Sequence, residues 1–74
     1  MVANEDPRVT RTRELIERSF YDLLMEKKLD ALTIGDIAQR ARINRATFYA
    51  HFEDKYELYR HMVRTTFEQI LYDN

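Results

Sequence analysis

The sequence predicts an all-α fold: a three-helix helix-turn-helix bundle followed by the start of a long fourth helix. Three observations predict it. Apolar residues recur at three- and four-residue spacing in four stretches, with no convincing strand alternation. The stretches open on good capping residues, namely Asp6, Thr33, Asn44 and Asp54. One glycine and one proline among 74 residues leave little room for long loops.

Helix 1 is expected over about residues 8–28. Asp6 caps it and Pro7 takes the first helical position. Val9, Thr12, Ile16, Phe20, Leu23 and Leu24 share one face, and Lys27 and Lys28 end it favourably for the macrodipole. Helix 2 is expected over residues 34–41. Thr33 and Asp36 have the spacing of a capping box, and Ile34, Ile37, Ala38 and Ala41 form the apolar face. A turn at Arg42 and Ile43 leads to Asn44, the cap of helix 3 over residues 45–51. Ile43 and Phe48 flank that cap at the spacing of a hydrophobic staple. Helix 4 starts at Asp54, with Glu57 completing a second capping box. Its stripe of Tyr59, Met62, Val63, Thr66 and Ile70, with Leu58, Phe67 and Leu71 beside it, is wider than a three-helix core needs. That surplus predicts a further packing partner for helix 4.

Composition narrows the function. A chain of 74 residues forms one small domain, which buries only about 60% of its unfolded surface and is marginally stable. Without cysteine there is no disulfide, thiolate zinc site or cysteine nucleophile. No apolar run reaches the roughly 20 residues of a membrane span, and no secretory signal opens the chain. The two histidines, His51 and His61, lie on different helices without a third ligand, so neither a metal nor another cofactor is expected. No nucleophile–base pair or phosphate loop suggests an enzyme. Asp54 and Glu57 are explained by capping.

The net charge of −1 argues against nucleic-acid binding until its distribution is considered. Residues 1–30 carry six basic and seven acidic side chains, and residues 53–74 carry three and five. Between them, residues 37–52 contain no acid but hold Arg40, Arg42, Arg45 and His51. With Phe48 turned to the core, Arg45, Ala46 and Tyr49 form the outer face of helix 3, flanked by Thr47 and His51. Arginine bonds a guanine edge through two nitrogens, worth about 1–3 kcal/mol of discrimination. Ala46 permits close approach and contact with a thymine methyl. Tyr49, Thr47 and His51 can donate to phosphates. The helix starts at Thr33 and at Asp54 and Lys55 are natural phosphate sites. Lys55 is badly placed for its own helix dipole, which an anion opposite it would explain. Tyr56 and Tyr59 are assigned to packing.

The run Thr33-Ile34-Gly35-Asp36-Ile37-Ala38, the run from Ala41 to Phe52 and the run Asp54-Lys55-Tyr56-Glu57-Leu58 together resemble the N-terminal domain of the TetR/AcrR family of bacterial transcriptional regulators. The resemblance covers roughly residues 10–63 and is densest over residues 47–55. It implies a recognition helix at residues 45–51, with base contacts from Arg45, Ala46 and Tyr49. It implies phosphate contacts from Thr33, Asn44, Thr47, Tyr49, His51 and Lys55. It also implies a C-terminal domain that binds a small-molecule effector and dimerises.

Residues 1–9 then form an N-terminal arm and the start of helix 1, residues 10–55 the DNA-binding unit, and residues 54–74 a linking helix. The expected partner is double-stranded DNA with a palindromic operator. The full-length protein is expected to be a cytoplasmic bacterial homodimer acting as a repressor, and these 74 residues alone a monomer or weak dimer. Two residues depart from the family pattern. Arg42 stands where glycine is usual in the turn, which suggests that its charge faces the DNA backbone. Gly35 stands where relatives often carry a longer side chain. The rival reading is a helical protein-interaction module without DNA binding, supported by the neutral charge and the apolar surplus of helix 4.

Overall fold

The computed structural model describes residues 6–73. Residues 1–5 of the expected arm, and Asn74, lie outside the described residues. Four α-helices follow in order: α1 (Pro7–Leu24), α2 (Ile34–Ala41), α3 (Arg45–His51) and α4 (Lys55–Asp73). A short 3₁₀ turn, Leu29–Ala31, lies between α1 and α2.

The α1 start matches its local signals. The Asp6 carboxylate accepts from the Arg8 N–H at 2.8 Å, and Pro7 occupies the first turn. The end does not. The helix stops at Leu24 rather than near Lys28, because its last bonds tighten: Met25 N–H donates to Asp22 C=O and Glu26 N–H to Leu23 C=O. The following residues serve α2 instead of the α1 dipole. Lys27 bonds Asp36 at 3.2 Å, and Glu26 accepts from Arg40 at 2.8 Å. The 3₁₀ turn, which no sequence signal announced, leads into Leu32, which is fully buried.

The core is a single cluster. Ile16, Phe20 and Leu23 come from α1, Leu32 from the connection, Ile37 from α2, Phe48 and Phe52 from α3 and its end, and Leu58 from α4. Full burial of such side chains contributes about 1.5–3 kcal/mol each, which is what holds three short helices together. Val9, expected on the buried face of α1, is exposed. Beyond Leu58 and the half-buried Met62, the apolar stripe of α4 faces outward: Val63, Phe67, Ile70 and Leu71 are each more than half exposed.

Local chemistry sets both ends of α2. The Thr33 hydroxyl accepts from Asp36 N–H, and the Asp36 carboxylate accepts from Thr33 N–H, both at 3.0 Å. That bond, then the Lys27 ammonium, holds the Asp36 carboxyl below its ordinary value of 3.8. A depressed folded value stabilises the fold above the unfolded pKa and is lost as pH falls through the folded one. The melting-temperature gap between the native chain and Asp36→Asn should therefore be open at neutral pH and close below about pH 4. A gap unchanged by acid would contradict this.

At the other end, Arg42 is left-handed, with φ 61° and ψ 44°. Its N–H donates to Gln39 C=O, and Ile43 N–H donates to Ala38 C=O at 2.9 Å. This is a Schellman closure, in which glycine is favoured. A left-handed non-glycine residue costs about 1–2 kcal/mol. Arg42→Gly should thus raise the melting temperature by several degrees, about 4–8 °C per kcal/mol in a domain of this size. Scanning calorimetry showing no rise would mean that the turn carries no strain.

Candidate nucleic-acid interface

Helix α3 is seven residues long, so its orientation depends on its ends and its buried face. Asn44 caps it: the side-chain oxygen accepts from Thr47 N–H at 2.8 Å and from the Thr47 hydroxyl at 2.9 Å. The Asn44 amide nitrogen thus keeps its two donors, whereas the Thr47 hydroxyl proton is already engaged. Phe48 is fully buried, and Ile43 packs against the same core. With Phe48 anchored, helical geometry turns Arg45, Ala46, Tyr49 and Ala50 outward, and all four are exposed. The Tyr49 ring stands edge-on to Phe48, with 5.6 Å between centroids, while more than half its surface remains open. Thr47 and His51 are half-buried on the flank. Ala50, one turn after Ala46, extends this face beyond the residues the sequence marks.

The starts of α2 and α4 meet the start of α3 at an open cleft. Thr33, Gly35, Arg45, Asp54, Lys55 and Tyr56 line it. Tyr56, assigned to packing from sequence, is nearly half exposed here. Its ring lies 5.3 Å from the Lys55 ammonium, a cation–π distance. Tyr59 is partly exposed to a similar degree but stands edge-on to Phe20. The Thr33 hydroxyl oxygen takes the Asp36 N–H, so its own proton is left to donate outward.

Lys55 behaves differently from the simple expectation. Its ammonium donates to the carbonyls of Leu29 at 2.7 Å, Leu32 at 2.6 Å and Asp30 at 3.3 Å. The cation therefore ties α4 to the connection before α2, and carbonyl oxygens offset its unfavourable place in the helix dipole. The cap of α4 is shifted as well. Asp54 accepts from Glu57 N–H at 2.8 Å, but the Glu57 carboxylate bonds the N–H of Glu53 rather than that of Asp54.

The basic stretch is not uniform in space. Arg40 pairs with Glu26 and so ties α2 to the segment that follows α1. Arg42 and Arg45 are exposed, with Arg42 in the turn and Arg45 beside the cleft. His61 is remote from His51 in role: its ring bonds Glu17 at 2.7 Å and packs against Phe52.

Two capped helices at this spacing, the second presenting a basic, small and aromatic face, form a helix-turn-helix. Residues 21–62 match the family model for bacterial regulatory proteins of the tetR family. The chain belongs to the tetR family. It carries the DNA-binding domain of that family, and the match runs from the second half of α1 to Met62 in α4. Among curated relatives, the chain is similar to the uncharacterized HTH-type transcriptional regulator YxbF of Bacillus subtilis, with 43% identity over 67 residues. That alignment covers 89% of this chain and 18% of the relative. It is 32% identical over 63 residues to the HTH-type dhaKLM operon transcriptional activator DhaS of Lactococcus lactis, covering 85% of this chain and 34% of the relative. A third relative, the uncharacterized regulator YdeS of Bacillus subtilis, is 43% identical over 49 residues, covering 66% of this chain and 25% of the relative. The chain thus spans about a third or less of the length of these relatives. No solved structure matches the chain. No helix of the described residues is long and apolar enough to cross a membrane.

Proposed function

We propose that this chain reads one half of a palindromic operator for a ligand-responsive tetR-family regulator, with α3 in the major groove. The observation that carries this reading is the outward face of α3, where Arg45, Ala46 and Tyr49 are exposed around the buried Phe48. Arg45 bonds a guanine edge, Ala46 meets a thymine methyl, and Tyr49 contacts a base and the neighbouring phosphate. Thr33, Asn44 and His51 hold phosphates on either side, and Thr47 joins them by turning its hydroxyl proton from Asn44 to the phosphate. Lys55 takes part through its N–H in the first turn of α4, its ammonium being engaged with carbonyls. Arg42 supplies a further backbone contact from the turn.

The rest of the regulator is part of the same proposal. A second domain beyond α4 binds a small effector and pairs two subunits, so that two half-sites about one helical turn apart are read together. The exposed apolar stripe of α4 supports such a partner. Repression of transcription in the bacterial cytoplasm is the proposed output. DhaS is named an activator, so the sign of regulation is a property to measure for each member.

Binding of this chain to a selected half-site should weaken with salt. Counterion release follows the cations at the interface, Arg42 and Arg45, so the slope of log K against log salt should be about −2. Fluorescence anisotropy between about 50 and 200 mM salt measures it. A chain without DNA affinity even at the low end would favour the protein-interaction module, for which the α4 stripe is the docking face.

A further inference from the structure

We propose that Gly35 is a specificity-determining position: its missing side chain is the seat of the Arg45 guanidinium, and this seat sets which base edge Arg45 reaches. The inference rests on the reading of α3 as the base-reading helix. A Cβ placed on Gly35 would lie 2.9 Å from Arg45 Nη2 and 3.7 Å from its Cζ. Real side chains do not approach so closely, so any other residue at 35 displaces the guanidinium. The displaced group is the far end of a flexible, exposed side chain, so the arginine moves and the backbone does not.

Backbone geometry offers no competing reason for the glycine. Gly35 does not have a positive φ. It sits in the first turn of α2, an ordinary helical position where alanine is the better residue. The same Cβ would lie 3.6 Å from Thr33 Oγ1, an ordinary contact that leaves the cap intact. Only Arg45 is in conflict. A cation resting at the positive end of α2 is unfavourable by itself, and Asp30 and Asp54 line the same cleft to offset it.

The consequence is directional. Bidentate reading of guanine requires the guanidinium plane to be aligned with the base edge. A guanidinium resting against Gly35 approaches the base from one side. A methyl at position 35 takes that resting place, and the displaced arginine then reads less strictly or reads a neighbouring base.

The test uses the full 74-residue chain and a half-site library randomised at each base. Native chain, Gly35→Ala, Arg45→Ala and the double variant are compared by binding selection. Gly35→Ala should melt no lower than the native chain. It should lose about tenfold discrimination at the base position that Arg45→Ala also affects, within what one bidentate pair supplies. The double variant should be no worse than Arg45→Ala alone. An unchanged preference in Gly35→Ala, or a change only at positions that Arg45 does not control, overturns the proposal. NMR contacts between the Gly35 Hα protons and the Arg45 guanidinium report the seat without DNA, and their absence also overturns it. If those contacts are present but Arg45→Ala leaves selectivity unaltered, the base-reading assignment has failed and the proposal falls with it.

Discussion

Phe48→Ala should cost about 3–5 kcal/mol, the range for removing a buried phenylalanine ring. Phe48 is fully buried and stands 6.0 Å from the Phe52 ring. It is the one buried residue of α3, which at seven residues has no independent stability. Domains are stable by only about 5–15 kcal/mol, and one this small belongs near the lower end. The loss thus removes most of the folding free energy, and DNA binding disappears with the fold. Urea unfolding followed by circular dichroism measures the effect. Tyr49→Ala is the control, because its ring is mostly exposed: it should keep the midpoint and lose DNA affinity. A Phe48→Ala chain with a near-native midpoint would show that α3 is held by something other than its buried face.

Lys55→Met is the second large effect, and it separates two roles for one residue. The ammonium satisfies carbonyls of Leu29, Asp30 and Leu32, and the bonds to Leu29 and Leu32 are partly buried. One hydrogen bond from a charged group contributes about 1.5–3 kcal/mol. Losing all of these bonds should cost at least that much and detach the start of α4 from the connection before α2. A lysine whose charge lies on a phosphate behaves otherwise: its removal leaves stability nearly unchanged and makes the salt slope shallower by about one. The bonds in the structure predict a lower melting temperature with the salt slope retained. A stable Lys55→Met chain with a shallower slope would mean that the ammonium leaves the carbonyls for DNA.

These effects show which parts of the interface were legible along the chain. The bounds of α2 and α3 follow from sequence because their caps are local. Thr33 meets Asp36, and Asn44 meets Thr47, within three residues. The outward face of α3 follows from periodicity once Phe48 is assigned to the core. The left-handed turn at Arg42 is hinted at only by the resemblance, which has glycine at that position. Where partners are distant in the chain, no such signal exists. The end of α1 comes earlier than its pattern predicts because Glu26 and Lys27 are taken by Arg40 and Asp36, residues of a later helix. The exposure of Tyr56 depends on where α4 begins relative to the cleft, which no local pattern carries.

Gly35 and Lys55 mark that boundary most clearly. By itself the sequence determined an all-α chain, the capped starts of its helices and the exposed arginine, alanine and tyrosine of α3, since hydrogen bonds and helical periodicity act over a few residues. Long-range packing brings the Lys55 ammonium to carbonyls 23 to 26 residues away and lays the Arg45 guanidinium beside Gly35. Both depend on how three helix starts converge, and that convergence is set by the packing of Phe20, Ile37, Phe48 and Leu58 in one core.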